Sequence, residues 1–345
     1  MTSEAEILFE KRGAAGIVTL NRPKALNALT HGMVVAMKAK LDDWASDPSV
    51  GIVVVRGAGE RAFCAGGDIR AIAESGRAGT SYALDFWRDE YILNATIKHY
   101  PKPYMALIHG IVMGGGVGVS VHGRYRIADE TTLFAMPETG IGFFPDVGGS
   151  YFLPRCPGEI GMYLALTGAR LKVADAHYVG VATDIVPQTR WQNLIDALAV
   201  GAAPENLLPE FGAEPASPLA AHRAKIDRIF AGVSVEAILA ELDAEEDDWS
   251  RATGATIRTK SPTSLKLVYR EMRTGKKKLS FDDCMRMEYR MANRILSGGD
   301  FYEGVRAVIV DKDNAPAWQP SSLAEVDDGT IELYFGSLGN RELKL

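Results

Sequence analysis

The segment Phe134-Ala-Met-Pro-Glu138-Thr-Gly-Ile-Gly-Phe-Phe-Pro-Asp146-Val-Gly-Gly149 sets two carboxylates among apolar and glycine residues. An ionised acid in such company costs several kcal/mol to desolvate unless something pairs with it, so acids kept there point to chemistry. The competing reading is a solvated turn. Pro137 and Pro145 each precede an acid and stiffen the backbone that presents it, which favours the chemical reading. Upstream lie two glycine clusters, Ala65-Gly66-Gly67-Asp68 and Gly114-Gly115-Gly116. Placed after a strand and before a helix, each offers backbone N–H groups that no side chain obstructs, and two such donors can hold the oxyanion of acyl transfer. Tight helix packing also selects glycine, and the residues alone weigh the two readings equally.

Other chemistries find no support. G-x-G-x-x-G started at Gly114 ends on Val119, and started at Gly116 it ends on Val121, so the dinucleotide fingerprint is missing. Gly118-Val-Ser120-Val-His122 has His where a nucleophile elbow needs Gly, and Ser120 reads as helix packing. The histidines show no metal spacing, and no G-K-[ST] follows a glycine loop. A net charge of -6 argues against a nucleic-acid partner; Lys276-Lys277-Lys278 is a local basic run that reads as a solvated helix end. Cys64, Cys156 and Cys284 are odd in number and far apart, which fits a reducing compartment. The start, Met1-Thr-Ser-Glu-Ala-Glu, is acidic where a secretory signal is basic, so the expected location is cytoplasmic. The apolar stretch 104–121 approaches bilayer length, but its glycines and His109 suit a buried strand followed by a helix, so no membrane partner is expected.

To position these groups the chain must supply strands that end at the glycine loops. Apolar runs at 16–20, 51–56 and 104–108 predict strands, and amphipathic stretches at 33–45 and 81–98 predict helices, an α/β alternation whose sites lie at strand ends. Strands thin out from about Ala174. The stretch 202–218, rich in Pro, Ala and Glu, reads as a surface connection, and 221–230, 261–273 and 281–297 read as helices. A chain of 345 residues suggests two domains: 1–200, which carries the candidate site, and 201–345, mostly helical.

These residues carry a resemblance. Asn21-Arg-Pro23 with Leu26-Asn27-Ala28-Leu29, then Phe63-Cys-Ala-Gly-Gly67-Asp68, Gly114-Gly-Gly116 and Pro137-Glu138 resemble, in order and spacing, the enoyl-CoA hydratase/isomerase (crotonase) superfamily. Within it the chain is most similar to the branch of 3-hydroxyisobutyryl-CoA hydrolases. The likeness runs through Met113-Gly-Gly-Gly-Val-Gly-Val-Ser-Val-His-Gly123, Phe134-Ala-Met-Pro-Glu-Thr139, Phe144-Pro-Asp-Val-Gly-Gly149 and Glu303-Gly-Val-Arg-Ala-Val-Ile-Val-Asp-Lys-Asp313.

The resemblance implies an α/β fold, a crotonase-like spiral of ββα units in 1–200 with a helical region at 201–345 that covers the site and assists homo-oligomer formation. It implies an acyl-CoA thioester as substrate, a role in valine catabolism, and no separate cofactor, since coenzyme A is part of the substrate. The oxyanion donors map onto the N–H groups of Gly67 and Gly115. Substrate contacts map onto Glu90, Gly115, Glu138 and Asp146, and coenzyme A onto Lys24, Ala25, Leu26, Ala65, Gly66, Gly67, Asp68 and Ile69. Hydratases of the superfamily carry a second Glu where this chain has Gly118, which cannot transfer a proton. One carboxylate plus an oxyanion hole suffices for thioester hydrolysis, with Glu138 activating water or attacking directly. An unshifted Glu, near pKa 4.3, would already be ionised for either role. Asp146 would receive the substrate's 3-hydroxyl. Glu90 either orients Glu138, contacts the substrate, or is an exposed helix acid. Two alternatives stay open: an enoyl-CoA hydratase or isomerase using Glu138 alone, and a non-catalytic acyl-CoA binding protein.

Overall fold

The computed structural model describes residues 5–211, 215–277 and 279–345. In chain order its strands are β1 (Ile7–Arg12), β2 (Ala15–Leu20), β3 (Ile52–Gly57), β4 (Ala62–Cys64), β5 (Tyr104–Ile108), β6 (Ile111–Met113), β7 (Tyr125–Ala128), β8 (Leu133–Ala135), β9 (Leu171–Lys172) and β10 (Asp184–Ile185). They form two sheets. One has the order β1-β2-β3-β5-β7-β10, and the other β4-β6-β8-β9. β1 and β2 make an antiparallel hairpin, and the rest of the first sheet is parallel.

The sequence dictates this arrangement. Residues 52–55 of β3 and all of β5 are continuous apolar runs, as strand segments buried on both faces must be, and Val53, Val54, Val55, Met105, Ala106 and Leu107 are fully buried. After β3, β5 and β7 the chain turns at once into β4, β6 and β8, so each repeat gives one strand to each sheet. This is the expected spiral of ββα units. Helix Trp191–Ala199 covers one face of the larger sheet, where Trp191, Leu194, Ile195 and Leu198 join Ala15, Ile17, Ile52, Val54 and Leu107 in one cluster. Helix His31–Ser46 begins at Thr30, whose side chain accepts the Met33 N–H as an N-cap.

The division expected near residue 200 is one of sequence; compactness divides the chain differently. One unit comprises 1–68, 89–135 and 170–220 and holds both sheets. The other comprises 69–88, 136–169 and 221–345. Its helices include Gly149–Phe152, Ile160–Thr167, Pro262–Gly275 and Phe281–Ile295, the last two capped by the side chains of Ser261 and Ser280. Trp87, Phe143, Phe144 and Phe301 form an aromatic core there, with ring centroids 4.4 Å apart for Phe143–Phe144 and 5.4 Å for Trp87–Phe143. Among the described residues, no helix is long and apolar enough to cross a membrane.

Candidate active site

In the sheet-bearing unit the two glycine loops follow β4 and β6, as the sequence required. The first is pinned to 26–29. Leu29 N–H donates to Gly66 O at 2.8 Å, Asp68 N–H donates to Leu29 O at 2.9 Å, and Ala65 N–H donates to Leu26 O at 3.0 Å. In this parallel bridge Leu29 bonds to the residues on either side of Gly67, so the Gly67 N–H points away from it. The second loop turns at Gly114 (φ +46°), and Gly115 opens the short helix Gly115–Gly118. As a first helical residue Gly115 has an N–H without an intrahelical acceptor. The loops lie side by side: a methyl group on Gly115 would stand 3.3 Å from Gly67 N and 2.5 Å from Glu90 Oε1. Two amide donors are thus adjacent with a carboxyl beside them, and the helix-packing reading of these glycines does not account for that carboxyl.

Glu90 lies on helix Tyr82–Lys98 and is only 2% exposed, which removes the reading of an exposed helix acid. Of the coenzyme A candidates, Leu26 and Ala65 are joined by the bond above, Lys24 and Ala25 are exposed on a 3-10 turn, and Asp68 faces Arg22 at 3.5 Å. Ile69 opens helix Ile69–Ala78 in the other unit. Asn27 ties the neighbourhood together: its Oδ1 accepts the Arg22 N–H, and its Nδ2 donates to Ala58 O and Ala62 O, each at 2.9 Å. Ser120 donates to Gly116 O at 2.8 Å, consistent with helix packing.

No cysteine serves as nucleophile. All three are free and buried, and burial is the leading cause that pushes each thiol up to about 12, so the thiolate form is withheld.

In the second unit Glu138 begins the turn Glu138–Ile141 and is 6% exposed, and its Oε2 has no hydrogen-bond partner in the protein. Burial, and then the nearby charge of Asp146, raise its carboxyl well above the ordinary range. The sequence reading demanded no shift of Glu138; desolvation imposes one once the turn is packed. A base with a raised pKa is also a stronger base. Asp146 is 5% exposed and precedes two left-handed residues, Val147 (φ +50°) and Gly148 (φ +88°).

Two further acids, which the sequence reading missed, lie in the same unit. Glu288 accepts the N–H groups of Gly148 (2.8 Å) and Ser150 (3.0 Å) and the Ser150 hydroxyl. Burial pushes it up to about 8, and those donors oppose the shift. Glu271 is fully buried, and neither of its carboxyl oxygens has a partner in the protein. Helix Pro262–Gly275, which carries it, is fastened to 138–150 at both ends. Ser261 N–H donates to Thr139 O at 3.2 Å, and Gly275 lies so close to Ser150 O that a methyl group there would stand 1.9 Å away. Position 271, one turn before Gly275, shares that face. Burial first, then the charges of Glu288, Asp146 and Glu138, raise the Glu271 carboxyl well above the ordinary range. The legible signal for both acids is a charge set into an apolar helical stripe, Leu267-Glu271-Gly275 and Met285-Glu288-Met291.

A raised acid in the folded state means that the native protein holds a proton the unfolded chain releases. Its contribution to stability is full below the unfolded value of about 4.3 and is lost as pH rises toward the folded value. Glu271→Gln keeps the shape and removes the titration. Its melting temperature should exceed that of the wild type by a margin that widens from pH 5 to pH 8; parallel curves would mean that Glu271 titrates as a solvated acid.

Of the basic run, Lys276 pairs with Glu159 at 2.5 Å and Lys278 lies outside the described residues, as do residues 1–4 of the acidic start and 212–214 of the expected connection.

The enoyl-CoA hydratase/isomerase family profile matches residues 15–335. The mitochondrial 3-hydroxyisobutyryl-CoA hydrolase of Danio rerio is 50% identical, over 100% of this chain and 94% of that protein. The Homo sapiens protein of the same name is 44% identical, over 98% and 90%. Among solved structures, one described as a carnitinyl-CoA dehydratase from Mycobacterium thermoresistibile is similar with a TM-score of 0.94 and 44% identity, covering 99% of each chain. One described as an enoyl-CoA hydratase from Rhodobacter sphaeroides 2.4.1 has a TM-score of 0.93 and 39% identity, covering 99% of this chain and 100% of that one.

Proposed function

We propose that this chain, which belongs to the enoyl-CoA hydratase/isomerase family, hydrolyses 3-hydroxyisobutyryl-CoA to 3-hydroxyisobutyrate and coenzyme A, a step of valine breakdown. The observation that carries the reading is Gly118. It ends the short helix Gly115–Gly118, is buried and has no side chain, so position 118 offers no second proton-transferring carboxylate where a hydratase needs one, while Glu138 is present and buried. The identity to hydrolases along the whole chain supports the same choice.

In the proposed reaction the N–H groups of Gly67 and Gly115 receive the thioester carbonyl oxygen and stabilise the oxyanion as the carbonyl carbon becomes tetrahedral. Ionised Glu138 takes a proton from water as its oxygen bonds to that carbon; collapse breaks the C–S bond and the proton passes to the departing thiolate. Direct attack by Glu138 on the carbonyl, followed by hydrolysis of the anhydride, uses the same groups. Neither route calls on a cofactor. Asp146 accepts the 3-hydroxyl proton in a hydrogen bond, which makes a plain acyl chain the poorer substrate because it covers the same carboxylate without supplying that donor.

Thiol release from matched substrates tests this. Asp146→Asn should lose about 5- to 100-fold more kcat/KM on 3-hydroxyisobutyryl-CoA than on isobutyryl-CoA. Equal losses on both would remove the contact with the hydroxyl. The second reading, hydration of an enoyl-CoA, draws on the descriptions of the two similar crystal structures and predicts consumption of crotonyl-CoA without thiol release.

A further inference from the structure

We propose that Glu288 is a positioning residue for Asp146, holding from a separate helix the turn that sets the direction of that carboxylate. The turn cannot hold itself. Val147 at φ +50° is a β-branched residue in the left-handed region, and Gly148 at φ +88° follows it. Such conformations persist only where the surroundings over-determine them. Within the turn, Gly149 N–H donates to Asp146 O at 2.8 Å. A further restraint comes from Glu288. One carboxyl gathers the N–H of Gly148, the N–H of Ser150 and the hydroxyl of Ser150, so three donors within three residues of the turn converge on a single rigid group.

Glu288 is fixed in turn. It is fully buried on helix Phe281–Ile295, whose first turn is capped by Ser280, and this helix packs on Gly149–Phe152. Glu271, beside it, receives no donor in the protein, so of these two buried acids Glu288 is the one equipped to anchor backbone. A metal does not explain the grouping, since among the described residues no three His, Cys, Asp or Glu side chains are arranged to hold one. The grouping is explained if Glu288 spans the distance from a stable helix to a strained turn whose first residue is Asp146.

The inference rests on the reading of Asp146 as the partner of the 3-hydroxyl, and the test separates the two. Glu288→Gln retains one acceptor oxygen but sets an NH2 group against a backbone or hydroxyl donor, so at least one of the three bonds is lost. It should lower kcat/KM on 3-hydroxyisobutyryl-CoA by about 10- to 100-fold, the range for a group misplaced by about 1 Å, and should lower it much less on isobutyryl-CoA. Combined with Asp146→Asn it should add almost nothing, because once position 146 carries an amide there is no carboxylate left to misdirect. Ser150→Ala, which deletes one donor and no charge, should move selectivity the same way by a smaller factor, and it serves if Glu288→Gln fails to fold. Equal losses on both substrates, or additive losses in the double variant, would overturn the role of Glu288. If Asp146→Asn alone leaves selectivity intact, the reading of Asp146 is what has failed; the additivity of the pair still reports whether Glu288 acts through it.

Discussion

Glu138→Gln should lower kcat for thiol release by about 10²- to 10⁴-fold, the range for loss of a general base. Gln matches Glu in shape, and a side chain 6% exposed in a tight turn tolerates an isosteric change better than a truncation. The pH profile gives a second signature. Because burial and Asp146 raise the Glu138 carboxyl, and because the base must be ionised to act, wild-type kcat/KM should climb with pH along a limb lying above the ordinary carboxyl range. The residual activity of the variant should lack that limb. Near wild-type rates in Glu138→Gln would remove this residue from the reaction.

Gly115→Ala should cost about 10²- to 10³-fold in kcat, as expected for damage to one oxyanion donor. The reason is steric. The added methyl would stand 2.5 Å from Glu90 Oε1 and 3.3 Å from Gly67 N, so the loop must move away from its neighbour or Glu90 must yield. Movement of the loop would separate the two N–H groups proposed to share the thioester oxygen, and movement of Glu90 would displace the carboxyl beside them. Binding of free coenzyme A, which has no acyl carbonyl, should change little. A variant with unimpaired turnover would show that the glycines serve packing alone.

The long elements were legible in the sequence because their patterns are long enough to be periodic. Strand 104–108 coincides with β5, and the expected helices at 33–45 and 281–297 lie within about two residues of His31–Ser46 and Phe281–Ile295. The strands of the smaller sheet were not, since β4, β6 and β8 are three residues each and too short for any alternation to register. Yet those three carry the glycine loops and lead to Glu138. The motif residues located them where periodicity could not. Glu271 and Glu288 escaped for the opposite reason: they sit in strongly amphipathic helices, and a charge on the apolar face gains meaning only when the facing segment is known. The interleaving of the two compact units is likewise invisible to a reading along the chain, because each is assembled from separated stretches.

The most direct measurement pairs two assays on the purified protein: free-thiol release from 3-hydroxyisobutyryl-CoA, and loss of the enoyl thioester absorbance with crotonyl-CoA. Hydrolysis by Glu138 and the two glycine amides predicts rapid thiol release with the enoyl band unchanged. Loss of the enoyl band without thiol release would contradict it and would show that Gly118 does not exclude hydration.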